Sequence, residues 1–180
     1  MSNNNRHNQL LKSPSLPAGR QVGDLGVEIC LANISDLHKI LEVQKKAFVQ
    51  QAEIYQLYSI APMTQTLDEI IVECRTKIVL KLELNNSIIG SIRAKQENEI
   101  CHLNKLVVLP EYQGKGYGKR LLLEIEKYFP KAAKFVLETG TRSISNIELY
   151  KKYGYSIVDR LFVHNGIEAV IMEKNNPPTP

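Results

Sequence analysis

Between residues 77 and 109 the chain carries three β-like runs in immediate succession, and this arrangement limits the possible folds more than any other feature. KIVLKLEL (77–84), SIIGSIRAK (87–95) and EICHLNKLVVL (99–109) are rich in branched aliphatic residues, and the breaks between them, Asn85-Asn86 and Glu97-Asn98, are short and polar. Strands joined so tightly can only pair antiparallel, because a parallel pair needs a crossover of roughly a dozen residues. A purely parallel sheet is excluded, and an antiparallel meander is expected at the centre.

The flanking segments add helices and further strands. Val27 to Leu31 alternate as a short strand; from Ser35, residues Leu37, Ile40, Leu41, Ala47 and Phe48 share a helical face. VQQAEIYQLYSIAPM (49–63) reads as a loop or broken helix ended by Pro62, and Thr66 to Glu69 form a capping box for a second helix bearing Ile70, Ile71 and Cys74. After the meander, Leu121, Leu122, Ile125, Tyr128 and Phe129 make a helical stripe that stops at Pro130, and KFVLET (134–139) is a strand. Ser145 to Glu148 read as another capping box, for a short helix that Gly154 closes in the left-handed conformation. YSIVDRLFVH, the turn pair Asn165-Gly166 and IEAVIMEK form a last ribbon. The order β-α-α-β-β-β-α-β-α-β-β describes one domain over residues 27–174, preceded by a polar, flexible leader (1–26) and followed by a frayed end (175–180).

Composition narrows the class of partner. The net charge of +4 is shared between the first 26 residues and the remaining 154, too weak a density for a nucleic-acid surface. No apolar run approaches the roughly 18 residues of a membrane span, and no export signal is recognisable, which points to a cytoplasmic protein. The three cysteines are scattered, without a CxxC pair, so neither a disulfide framework nor a metal site is expected.

The junction "VLPEYQGKGYGKRLLLEI" (108–125) runs from a strand end through three glycines into a helix. Such a loop gathers unpaired N–H groups and the positive end of a helix dipole, a natural anion site. A metal-assisted nucleotide loop, G-x-x-x-x-G-K-[ST], fails because Gln113 stands five residues before Gly118 and Arg120 follows Lys119. A dinucleotide fingerprint starting at Gly114 and Gly116 finds Lys119 instead of its third glycine. A helix-capping turn or a metal-free phosphate cradle remains, and the glycines with Lys115 and Lys119 favour the cradle. Along the preceding strand, alternation puts Ile100, His102, Asn104, Leu106 and Val108 on one face and Cys101, Leu103, Lys105 and Val107 on the other.

These residues resemble the GNAT superfamily of N-acetyltransferases. Gln113, Gly116 and Gly118 match its loop pattern [RQ]-x-x-G-x-[GA], LVVLPEY matches the strand before it, and NIELYKKYGY, with Tyr150 four residues after Asn146, is similar to its tyrosine helix. The element order agrees over residues 27–174. The resemblance implies an α/β (α+β) fold: a mixed, mostly antiparallel sheet of about seven strands flanked by four helices, splayed between strands 4 (99–109) and 5 (134–139). It implies acetyl-CoA as co-substrate. Backbone amides of Gln113, Gly114, Lys115, Gly116, Tyr117 and Gly118 would wrap the pyrophosphate, with charge from Lys115 and Lys119. Leu106, Val107 and Val108 would pair with the pantetheine arm, and Asn146 would face the thioester.

The reaction so implied is direct attack of a primary amine on the thioester in a ternary complex. Tyr150 would be the acid for the leaving thiolate, with Tyr153 as fallback. His102, six residues before Val108, would be the base, histidine being a residue suited to base work at neutral pH, with Glu99 or a water relay as alternatives. Cys101, on the opposite face from His102, argues against an acyl-enzyme. The acceptor, a small molecule or peptide amine, would meet Tyr55, Tyr58, Met63 and Phe162, or these would be core; Glu53, Asp159 and Glu168 would recognise a cation. A monomer or homodimer is expected, with no metal, nucleic acid or membrane partner. The competing reading is a non-catalytic acyl-CoA-binding sensor or partner module, disfavoured because Tyr150 and Asn146 are both present.

Overall fold

A computed structural model describes residues 26–163 and 166–176. The proposed leader, apart from Gly26, the last residues of the expected frayed end and Asn165 of the turn pair lie outside the described residues. Seven strands form one sheet in the order β1-β2-β3-β4-β5-β7-β6: β1 (Val27–Leu31), β2 (Ile78–Leu84), β3 (Ser87–Glu97), β4 (Ile100–Val108), β5 (Lys134–Gly140), β6 (Ser156–Val163) and β7 (Ile167–Asn175). Neighbours are antiparallel except β4 and β5, which are parallel. The expected meander is β2-β3-β4, with Asn85, Asn86 and Asn98 in the left-handed conformation its tight turns require.

Helices cover both faces. α4 (Tyr117–Glu126) lays Leu121, Leu122 and Ile125 on Leu80, Leu82, Ile89 and Ile92. On the other face α1 (Leu37–Tyr55) and α3 (Leu67–Cys74) bury Ile40, Leu41, Val43 and Ile70 against Val79, Ile88 and Val107. α5 (Ile144–Lys152) follows β5, and α2 (Ala61–Thr64) is one turn. Among the described residues no helix is long and apolar enough to cross a membrane.

Four expectations are corrected. α1 continues through Val49–Tyr55, because Ala52 is fully buried, and it ends at a left-handed Gln56 whose N–H reaches the Ala52 and Glu53 carbonyls. Pro62 opens α2 rather than ending a segment, since its missing N–H costs nothing in a first turn. α5 starts at Ile144, not after Ser145, because the Ser143 carbonyl already accepts from Asn146 and Ile147 N–H; the Ser145–Glu148 capping box does not form. The fourth concerns β4. Arg93 faces Asn104 but Ser91 faces Val107, so β4 carries one extra residue, a β-bulge with Lys105 in the left-handed region (φ 53). The bulge breaks the alternation expected along the strand: Leu106 and Val108 pack toward α4, whereas Val107 packs toward α1 and α3.

Candidate active site

β4 reaches α4 through a 3-10 turn (Pro110–Tyr112) and the glycine loop. Gly114 (φ 74) and Gly116 (φ 83) are left-handed, and a Cβ built on either meets no heavy atom within 4 Å. The space before them is open. Gly118 instead lets two helices approach, since a Cβ there would stand 3.5 Å from Leu149 Cδ2, an ordinary contact between α4 and α5. Gly116 is the N-cap of α4 and brings no side chain to the helix start, so the first N–H groups of this ten-residue helix are left for another acceptor.

That space is a groove of about 450 Å³, lined by Gln113, Gly114, Gly116, Tyr117, Gly118 and Lys119 together with Leu106, Val107 and Val108 and the face of α5 bearing Asn146 and Tyr153. Lys115 is not on its lining; its ammonium stands 5.3 Å over the Tyr112 ring. Lys119 Nζ lies 5.5 Å over the Tyr153 ring, and Lys152, absent from the sequence reading, adds a cation.

The groove continues into the sheet. β4 and β5 pair from Ile100 with Lys134 to Leu103 with Leu137 and then part. Leu109 N–H bonds to the Ile89 carbonyl of β3 at 2.8 Å, so strand alternation turns the Val108 backbone the other way, into the gap. There its carbonyl accepts from Gln113 Nε2 at 2.9 Å. A strand edge that has parted from its neighbour takes an extended ligand as if it were a strand.

On the far side of the gap a second cavity, of about 680 Å³, shares Phe48, Gln51, Leu106 and Asn146 with the groove. Tyr150 lines it from α5 while packing in the α4-side core, its ring 5.9 Å and edge-on from Tyr155. Burial pushes its phenol well above the usual range, so it carries its proton at neutral pH.

A strand that parts from its neighbour, a glycine loop opening a helix, and two cavities meeting at the gap form one constellation. Residues 44–176 match the family model of the acetyltransferase (GNAT) domain.

The chain belongs to the GNAT family.

It is accordingly an acyltransferase. The uncharacterized protein YyaT of Bacillus subtilis (strain 168) is 24% identical over 142 residues, covering 78% of this chain and 89% of that protein. The PaiA N-acetyltransferase of Thermoplasma acidophilum, solved in complex with coenzyme A, superposes with a TM-score of 0.70 at 24% identity, over 84% of this chain and 99% of that one. YncA of Salmonella typhimurium, solved with its cofactor acetyl-CoA, gives 0.68 at 17% identity, over 86% and 96%.

The acceptor side of this GNAT domain departs more from the sequence reading. His102 is exposed and lines the second cavity, opposite Val136 of β5. Tyr55 lines it too, with its hydroxyl accepting from Arg142 N–H at 2.8 Å. Tyr58, Met63 and Phe162 are not on its lining, nor are Glu53, Asp159 and Glu168. The reasons are the extra turns of α1, which re-aim residues 56–63, and the place of β6 at the sheet edge, where Phe162 is 79% exposed. Glu99 sits in the β3–β4 turn, away from both cavities. Cys101 is buried on the α4 side, its thiol pushed up to about 12 by burial and then by Glu126.

Residues that the sequence reading left without a role line the cavity: Lys105 and Asn104 at the bulge, Glu138 just past the last β4–β5 pair, and Phe48. Glu138 and the Asn104-Lys105 doublet could have been found as polar side chains within otherwise apolar strands. Behind Lys105 lies a buried network. Arg93, fully buried, donates to Glu73 Oε2 at 2.7 Å and to Gln44 Oε1 at 2.6 Å, and Gln44 Nε2 bonds the Pro62 carbonyl and Gln65. Burial alone would raise the Glu73 carboxyl, but hydrogen bonds from Lys77 and Gln65 and the charges of Arg93 and Lys105 hold it at about 2.

Proposed function

We propose that this protein transfers an acetyl group from acetyl-CoA to a primary amine by direct attack within a ternary complex. The observation that carries the reading is the meeting of the two cavities at Leu106 and Asn146, with Tyr150 on the lining of the second, one helical turn from Asn146. Open space before Gly114 and Gly116, the uncapped start of α4 and the unpaired edge of β4 suit a phosphate-bearing ligand with an extended arm. Bound there, acetyl-CoA supplies a thioester: the amine forms a C–N bond at its carbonyl carbon as the C–S bond breaks, the amine loses a proton and the leaving thiolate gains one.

In this reading Tyr150 donates that proton, and its burial keeps the donor protonated until the thiolate develops. His102 removes the proton of the amine. It precedes Leu106 by four residues, one of them the bulge, so about 10 Å along the strand, and it acts through water. Leu106 and Val108 present backbone groups to the arm, and Gln113, Gly114, Lys115, Gly116, Tyr117, Gly118 and Lys119 form the phosphate end, Lys115 as a flanking charge. Asn146 faces the junction. Cys101 lines neither cavity, which supports direct attack over an acyl-enzyme. A module that only bound acyl-CoA would have no use for the second cavity.

Thiol release from acetyl-CoA across a panel of amines tests the proposal. Turnover on at least one amine is expected; binding of acetyl-CoA without turnover on any of them would favour the non-catalytic module.

A further inference from the structure

The bulge in β4 does more than aim backbone groups. It falls at Lys105, between the pairs Arg93–Asn104 and Ser91–Val107, on the stretch of β4 that lines the second cavity with both Asn104 and Lys105. Lys105 adopts a left-handed backbone that a lysine rarely takes, so its surroundings hold the side chain in place.

The ammonium of Lys105, whose side chain is 17% exposed, donates to Gln65 Oε1 at 3.2 Å and stands 4.0 Å from Glu73 Oε2. Both oxygens of Glu73 are more closely engaged elsewhere: Oε1 by Lys77, and Oε2 by Arg93 and Gln65, each at 2.7 Å. Three cations therefore share this carboxylate. Of the three, Lys105 lines the cavity, and its hydrogen bond to Gln65 leaves the three-donor ammonium with capacity to spare. Beside it the Asn104 Oδ1 is buried and accepts no hydrogen bond among the described residues, which leaves an acceptor waiting for a donor. A cation with spare donors and a buried acceptor without a partner among the described residues thus come from adjacent residues of the cavity-lining strand.

We propose that the acceptor carries a carboxylate beside its amine, the carboxylate held by the Lys105 ammonium and an amine N–H by Asn104 Oδ1. This rests on the transferase reading and names the acceptor class of the same site. The two anchors come from adjacent residues, so the groups they hold are close together, as in a free amino acid; a polyamine brings no carboxylate. Glu138, on the β5 wall, repels the carboxylate toward Lys105. Phe48, Leu57, Ile60 and Pro62 add an apolar patch to the lining, which suits an apolar side chain.

The test compares matched trios, for example leucine, leucinamide and 3-methylbutylamine, and the same series for an aromatic and a polar amino acid. Thiol release is measured with acetyl-CoA, and binding by calorimetry with the CoA-bound protein. The free acid is expected to exceed its amide and its decarboxylated amine in kcat/KM by about tenfold or more, the worth of a charge-assisted hydrogen bond. Lys105→Gln should abolish that preference through KM rather than kcat, and Lys105→Arg should keep part of it. Asn104→Ala, outside the Glu73 network, should weaken calorimetric binding of the free acid even if Lys105→Gln fails to fold. Equal kcat/KM across each trio, or an equal loss for all three members in Lys105→Gln, overturns the inference. Turnover confined to amines without a carboxylate overturns it while the transferase reading stands. Normal CoA binding with neither thiol release nor amino-acid binding overturns both.

Discussion

The two cavities that meet at Leu106 and Asn146 are built from different kinds of material. One stretch, Leu106 to Lys119, gives the groove its strand edge, glycine loop and helix start, with α1 and α5 closing the other walls, and what that stretch offers a ligand is largely backbone. The second cavity takes its lining from α1, α2, β4, β5, α5, β6 and β7, and what it offers is in side chains. A backbone site needs glycines at fixed spacing and tolerates little change. A side-chain site can be altered one residue at a time, so a fold built this way can keep one ligand while exchanging the other.

The largest expected effect is at Tyr150. Tyr150→Phe removes the proposed proton donor without touching the loop, so kcat should fall by about 10²- to 10⁴-fold with the calorimetric affinity for CoA unchanged. Equal kcat in the variant would detach Tyr150 from the chemistry.

Next comes the network behind the acceptor wall. Glu73→Gln leaves Arg93, Lys77 and Lys105 without their shared carboxylate, and urea unfolding should show a loss of about 3–5 kcal/mol. The wild-type protein should lose part of the same stability in acid. The Glu73 carboxyl is depressed from 4.5 to about 2, so its contribution is present above about 4.5 and disappears as the pH falls through about 2. Stability that does not change across that window would mean that the network adds nothing.

On the groove side the effects are smaller. Gly116→Val places a branched side chain at φ 83, at a cost of about 1–2 kcal/mol in stability, and fills the open space before α4, so CoA should bind about tenfold more weakly. Unaltered affinity would remove the phosphate end from this loop. Least of all, Lys119→Gln should cost CoA affinity about threefold at low salt and nothing measurable at high salt, as befits an exposed charge, while the KM for the acceptor stays put.

This division explains what could be read from the letters. The meander was legible because Asn85-Asn86 and Glu97-Asn98 interrupt aliphatic runs, and the loop because Gly114 and Gly116 occupy positions that reject a side chain. The roles proposed for Tyr150 and Asn146 come only from resemblance, since a tyrosine one helical turn from an asparagine has many uses. The bulge at Lys105 was not legible. Nothing in LNKLVV marks an extra residue when the left-handed position is held by lysine rather than glycine. With it went the correct facing of Leu106 and Val108 and the place of Lys105 on the cavity lining. Phe162 and Tyr58 were misplaced for a related reason: their surroundings depend on where α1 stops and on β6 lying outside β7, both decided by tertiary contacts.

Tyr55 and Gly140 touch across the end of the sheet, where a Cβ at position 140 would lie only 2.2 Å from the tyrosine oxygen. A side chain gained at 140 has to displace the tyrosine at 55, and with it the tether to the Arg142 N–H, so the two positions are expected to change together.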